Sequence, residues 1–219
     1  SVHTKLMLVC TTFVLLLASS FFFFTEHWNG DYSLRQKVLS SFFQVSTAAT
    51  TTGFNAIDVG KIQPGNLFLL VLVMFIGAGS GGTGGGIKMT TFIVAMLSVC
   101  SIITNRDTVN VFRRRVPFSV IRNSLAIVIL SGAWIALSSY LMMLTEGKDL
   151  MSLLFEITSA IGTVGLSTGI TPGLSSIGKT VIILSMLIGR IGPLGIGVSL
   201  LKTEMEPNYR YSTTDIFIG

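Results

Sequence analysis

From Leu6 to Thr25 no residue carries a charge, and the apolar stretch that opens at Leu67 has no ionisable side chain before Lys88. Runs of this kind constrain the chain to a bilayer, because about 20 residues of helix measure about 30 Å, the thickness of a hydrocarbon core. Composition agrees: 50% of residues are hydrophobic and 11% charged, against roughly 25% charged in an average soluble domain. The net charge of +5 is read as membrane topology, since the basic residues stand beside apolar spans. No basic groove interleaved with aromatic residues is present, so nucleic acid is not expected as a partner. Cys10 and Cys100 each sit in an apolar run and predict neither a disulfide framework nor a metal site. The first run exceeds the 7–15 residues of a signal core and is taken as a span. Because the chain enters that span almost directly from Ser1, we expect a further portion upstream.

A repeat organises what lies between the spans. Thr50-Thr51-Thr52-Gly53-Phe54-Asn55 returns 112 positions later as Gly162-Thr163-Val164-Gly165-Leu166-Ser167. At the same offset Phe43 matches Phe155, Ala48 matches Ala160, and Met74, Ile76 and Gly77 match Met186, Ile188 and Gly189. One unit of about 110 residues is duplicated, and residues 1–104 and 119–201 are read as two such units.

In the first unit a span from Lys5 to Phe24 is followed by a polar turn around Glu26 to Asp31. Leu34 to Thr50 is too short and too polar to cross, with Gln44, Ser46 and Thr47, and reads as a re-entrant half-helix. Irregular backbone at membrane depth survives only where protein buries it or water lines it, so a half-helix ending in Thr-Thr-Gly-Phe-Asn implies a cavity. Its C-terminal dipole, about half a negative charge, favours cations there.

After a return loop with Asp58, Lys61 and Pro64, the apolar run from Leu67 to Ile103 is too long for one crossing and must break. The break is written as Gly77-Ala78-Gly79-Ser80-Gly81-Gly82-Thr83-Gly84-Gly85-Gly86, where glycine's backbone freedom makes helix expensive. A phosphate loop fails on spacing, because Ile87 and Met89 separate Gly86, Lys88 and Thr90. A flexible gate is preferred over a close-packing kink. Lys88 reads equally as a functional residue or as a side chain snorkelling from a helix end.

Residues 105–118 form the basic loop, with Arg106, Arg113, Arg114 and Arg115 against Asp107. The positive-inside rule makes it cytoplasmic and puts both ends of this segment inside; contact of the arginine cluster with anionic lipid is the lesser reading. The second unit then runs from a span at Ser119 to Leu144, through a half-helix at Leu150 to Gly162 and a return loop at Pro172, to a last span at Lys179 to Leu201. Arg190 lies inside that last span. An intramembrane arginine is costly unless it faces water or a partner, so it either serves function or pairs with Glu156. The tail 202–219 is polar, with Tyr209 and Tyr211.

The two units ending in Thr-Thr-Gly-Phe and Thr-Val-Gly-Leu, the break Gly77 to Gly86 followed by Ile87-Lys88, and Arg190 together resemble the Trk/Ktr/HKT superfamily of potassium transporters. The ending from Asn208 to Gly219 most resembles the bacterial Ktr membrane subunit. The resemblance implies an all-α membrane protein of tandem span, pore half-helix, filter turn and span repeats, in which this chain supplies the third and fourth of four pseudo-symmetric repeats, half of a pore. It implies a plasma-membrane location, a homodimer of membrane subunits, the N-terminal half of the same pore and a cytosolic nucleotide-binding ring as partners. K⁺ is expected in the filter, Na⁺ as a coupling or activating ion is left open, and no covalent cofactor is expected.

Passing K⁺ selectively needs carbonyl oxygens in place of its water shell, presented by a backbone conformation that glycine tolerates best. Gly53 and Gly165 would supply it, with Thr51, Thr52, Phe54, Thr163, Val164 and Leu166 lining or supporting the turns. One glycine per turn, against two in a Thr-Val-Gly-Tyr-Gly filter, predicts looser selectivity. Gly77, Gly79, Ser80, Gly81, Gly82, Thr83, Gly84, Gly85, Gly86 and Lys88 would obstruct the path below, with Arg190 as a positive barrier. A non-transporting scaffold is the rival reading, and it does not account for two half-helices. With His3 and His27 the only histidines and no paired carboxylates, the chain is not read as an enzyme.

Overall fold

Helix α1 occupies Val2–Thr25 and α5 occupies Phe118–Glu146, 24 and 29 residues long. At 1.5 Å per residue these are about 36 and 44 Å, and both are apolar enough to cross a bilayer. The computed structural model describes residues 2–28, 32–77, 79, 84–105, 108–112, 114–192 and 195. Ala78 and Ser80, Gly81, Gly82 and Thr83 of the glycine run, Arg106, Asp107 and Arg113 of the basic loop, and the tail 202–219 lie outside the described residues.

Each long helix is followed by a short one. Helix α2 is Leu34–Ala49 and α6 is Leu150–Ile161. Both begin on side-chain caps: Ser33 accepts from Gln36 N–H while Gln36 reaches back to the Ser33 N–H, and Asp149 accepts from Met151 N–H and Ser152 N–H. Such caps fill donors that a helix start leaves open and contribute about 1 kcal/mol each. A single 3-10 turn follows in each return loop, Val59–Lys61 and Thr171–Gly173. Then come α3, Pro64–Ile76, and α7, Ser176–Ile191. From the ends of α2 and α6 through α3 and α7 the two units therefore match element by element at the 112-residue offset. Ahead of the half-helices they diverge, because α5 continues to Glu146 while α1 stops at Thr25.

The long apolar run breaks into α3 and α4, Met89–Ile103. Three departures from the sequence reading follow. The chain is not wholly α, because Asn110–Val111 (β1) and Arg114–Arg115 (β2) pair antiparallel within the basic loop. Buried Val109 and Val111 give that loop an apolar anchor that its arginines conceal in the sequence. The span expected from Lys179 to Leu201 is helical as α7 only to Ile191, where Gly192 takes φ +90, a backbone that glycine tolerates best; residues 193, 194 and 196–201 of that span lie outside the described residues. Finally, α7 starts at Ser176, three residues earlier than Lys179, on a Ser175 cap.

Two cores hold the units. One gathers Phe22, Val45, Ala48, Leu70 and Met74, and the other Ile135, Met142, Leu153, Ile157 and Ile182. They are not independent, since Phe155, Val164 and Leu166 from the second unit are buried in the core of the first. Apolar side chains such as Leu8, Phe13, Phe24 and Ile129 point outward, as expected of helices facing lipid.

Candidate functional site

Both half-helices stop at the same kind of corner. Thr51 takes φ +55 and Gly53 φ +82, while Thr163 takes φ +52 and Gly165 φ +90. Left-handed backbone is easy for glycine but an outlier for a β-branched threonine. Two such threonines at one offset mark a corner that the surrounding structure imposes. The same hydrogen bond closes each: Thr52 N–H donates to the Thr47 carbonyl at 3.0 Å and Val164 N–H to the Ser159 carbonyl at 2.9 Å. A Cβ placed on Gly53 would run into the Val164 carbonyl oxygen, and one on Gly165 would lie 3.8 Å from the Gly53 Cα. The two corners thus meet glycine to glycine.

Their side chains part ways. Val164 and Leu166 are each 3% exposed, whereas Phe54 is 69% exposed and Thr52 is also on the surface. Beyond each corner a side chain of α2 or α6 holds the departing chain. Gln44 Oε1 accepts from Ala56 N–H at 3.2 Å. Glu156 accepts at Oε1 from Thr168 N–H at 2.8 Å, Thr168 Oγ1 at 3.0 Å and Ser167 Oγ at 2.7 Å, and at Oε2 from Thr171 Oγ1 at 2.7 Å. The carboxylate considered as a partner for Arg190 is therefore filled by its own return loop. Arg190 is exposed and shares with Glu156, Thr163, Gly165, Leu166 and Met186 the wall of a cavity of about 710 Å³.

The described part of the glycine run lies against the second corner. Gly85 N–H donates to Thr163 Oγ1 at 2.6 Å and Gly86 N–H to the Gly189 carbonyl at 3.1 Å. A Cβ on Gly85 would stand 2.6 Å from Thr163 Cγ2, and Gly77, at φ +66, faces the Ile87 carbonyl. Lys88 is half-buried and turns its Nζ back onto the Gly84 carbonyl. The structure thus brings Thr163, Gly84, Gly85, Gly86 and Lys88 together, with Arg190 one residue from the Gly189 contact. Gly79 lies near Met7. Ser80, Gly81, Gly82 and Thr83 are outside the described residues.

Sequence reasoning passed over Gln44, Ser167, Thr168, Thr171 and Gly189. A signal for Gln44 was available, because it stands at the repeat offset from Glu156. Gly189 was noted as the mate of Gly77 but not as the point where α7 crosses the Ile161 carbonyl of α6.

The chain is 40% identical over 223 residues to the Ktr system potassium uptake protein B of Bacillus subtilis, covering 100% of this chain and 50% of that protein. With the Ktr system potassium uptake protein B of Vibrio alginolyticus it shares 39% over 207 residues, 93% of this chain and 45% of that one. With the potassium/sodium uptake protein NtpJ of Enterococcus hirae it shares 30% over 229 residues, 100% of this chain and 50% of that one. The chain spans about half the length of the curated relatives it matches. Residues 3–211 match the TrkH family, described as cation transport protein, and this chain belongs to it.

Proposed function

We propose that this chain supplies two repeats of a membrane pore that conducts K⁺, with the ion passing among backbone carbonyls of Thr51, Thr52, Gly53 and Phe54 and of Thr163, Val164, Gly165 and Leu166. The observation that carries the reading is the meeting of two corners of similar left-handed backbone at Gly53 and the Val164 carbonyl. Corners set side by side in this way would turn carbonyl oxygens toward a shared space, the arrangement that replaces a cation's hydration shell. Helices α2 and α6 end at the corners, so the negative ends of both dipoles favour a cation. The names of the relatives, potassium uptake proteins and one potassium/sodium uptake protein, support the cargo.

The glycine run, tied to Thr163 through Gly85, is the proposed gate, with Lys88 holding it and Arg190 adding a positive barrier. Two corners close half of a four-sided ring, so two further repeats complete it, in a cell membrane with the basic loop inside. A dimer of membrane subunits and a cytosolic nucleotide-binding ring are the proposed assembly. The test is cation flux in liposomes carrying the transporter with all of its repeats. K⁺ uptake in preference to Na⁺ is expected, and flux no greater than in empty liposomes rejects the reading.

A further inference from the structure

Among the buried polar side chains of the two pore helices, Gln44 and Glu156 stand at the same place in the repeat. Gln44 on α2 is 0% exposed and Glu156 on α6 is 5% exposed. Each takes the N–H of the residue three beyond the corner glycine, Ala56 or Thr168. Every corner is therefore gripped twice, on entry by a helix carbonyl at Thr47 or Ser159 and on exit by this side chain.

The two grips are unequal. Around Glu156 the return loop offers the hydroxyls of Ser167, Thr168 and Thr171. The first unit has Asn55, Ala56 and Val59 at those places, and Gln44 Nε2 is buried without a partner among the described residues. A buried carboxylate is costly unless its lone pairs are filled. A filled network in a low-dielectric setting holds its members rigidly. The hydroxyls and the carboxylate thus occur together in one unit and are both absent from the other.

We propose that Glu156 is a specificity-determining positioning residue: by holding Ser167, Thr168 and Thr171 it fixes the exit limb of the second corner and so the spacing of its carbonyls. Gln44 does this for the first corner through a single bond, so the second corner is the stiffer one and discriminates more between K⁺ and Na⁺. The inference rests on the corners being an ion filter.

The test measures the K⁺/Na⁺ uptake preference of the complete transporter in liposomes, a ratio that the amount of folded protein does not move. Glu156→Ala is expected to lower the preference about tenfold, the size of one lost buried hydrogen bond or two. Glu156→Gln is expected to restore it, because the amide oxygen still accepts from Thr168 N–H, as Gln44 does from Ala56, and the Thr171 hydroxyl turns to accept from Nε2. A wild-type ratio in Glu156→Ala overturns the inference, as does a Glu156→Gln variant as impaired as the alanine. If Glu156→Ala does not accumulate, Ser167→Ala combined with Thr171→Val removes bonds from the loop side and must lower the ratio; an unchanged ratio there also overturns it. Wild-type protein without K⁺ preference rejects the filter reading itself, a result distinct from selective wild type with an equally selective Glu156→Ala.

Discussion

Threonines 51 and 163 hold left-handed backbone at φ +55 and +52, a conformation that costs a β-branched residue about 1–3 kcal/mol. The compensation is local and unequal. Thr163 Oγ1 accepts the Gly85 N–H at 2.6 Å, whereas Thr50 and Thr52 share a hydroxyl bond at 2.7 Å on the surface. Replacing Thr163 with valine should free the glycine run and leave the Gly85 N–H unpaired, at about 1–3 kcal/mol. Faster K⁺ uptake is expected of Thr163→Val and not of Thr163→Ser, which keeps the acceptor; identical rates would remove Thr163 from gating. The corner glycines also differ. Gly53→Ser sets a Cβ against the Val164 carbonyl, while Gly165→Ser meets only ordinary contact and pays for its φ of +90. Both should shift competition toward Na⁺, Gly53→Ser by several-fold more, since a displaced carbonyl alters the ion's coordination directly. Equal competition by Na⁺ in wild type and Gly53→Ser counts against the filter assignment.

At the scale of elements, α6 and α7 approach so closely at one point that backbone touches backbone. Gly189 of α7 lies under the Ile161 carbonyl of α6, and its own carbonyl receives Gly86 N–H. A methyl group there has no room to relax, because the obstacle is main chain. Gly189→Ala is expected to destabilise the protein by about 1–3 kcal/mol, read as a lower unfolding temperature in detergent, and an unchanged midpoint would contradict the packing. The broken helix pair makes a different demand. Helices α3 and α4, of 13 and 15 residues, are each about 20 Å long and cross only together. The segment between them is the proposed gate, held at Gly85 by Thr163 and at Gly86 by the Gly189 carbonyl. Shortening the glycine run should raise uptake in potassium-depleted cells, and unchanged uptake would sink the gate.

For the whole molecule, the decisive fact is that the second corner is buried in the core of the first unit. Val164 and Leu166 pack with Val45, Ala48 and Met74, so the two units form one body around the corners. Leu166→Ala should cost about 2–5 kcal/mol. The equivalent side chain in the first unit, Phe54, is 69% exposed. If a preceding repeat covers it as the first unit covers Leu166, then Phe54→Ala in the complete transporter should destabilise by a comparable amount. A substitution at an uncovered site stays within about 0.5 kcal/mol, and that result in a thermal unfolding comparison would argue against closure of the ring by a further repeat.

Much of this was legible along the chain. Uncharged runs fixed α1 and α5, and a short helix, α2 at Leu34–Ala49, stands where one was expected at Leu34 to Thr50. The offset of Thr51 to Thr163 and Gly53 to Gly165 located both corners, because hydrophobic length and glycine placement are local properties of a sequence. The hairpin of β1 and β2 and the halt of α7 at Gly192 were not legible, since arginine-rich composition masked the first and a continuing apolar run the second. Contacts between distant residues were beyond it as well. That Glu156 grips Ser167, Thr168 and Thr171, that Gly85 hangs from Thr163, and that Leu166 enters the core of the other unit depend on how helices cross. Sequence by itself determined where the two long apolar helices lie, where the second apolar run breaks and where the unit repeats. Tertiary packing decided which charge is satisfied by which donors, because that choice is made by three-dimensional proximity and by the cost of leaving a buried group unpaired.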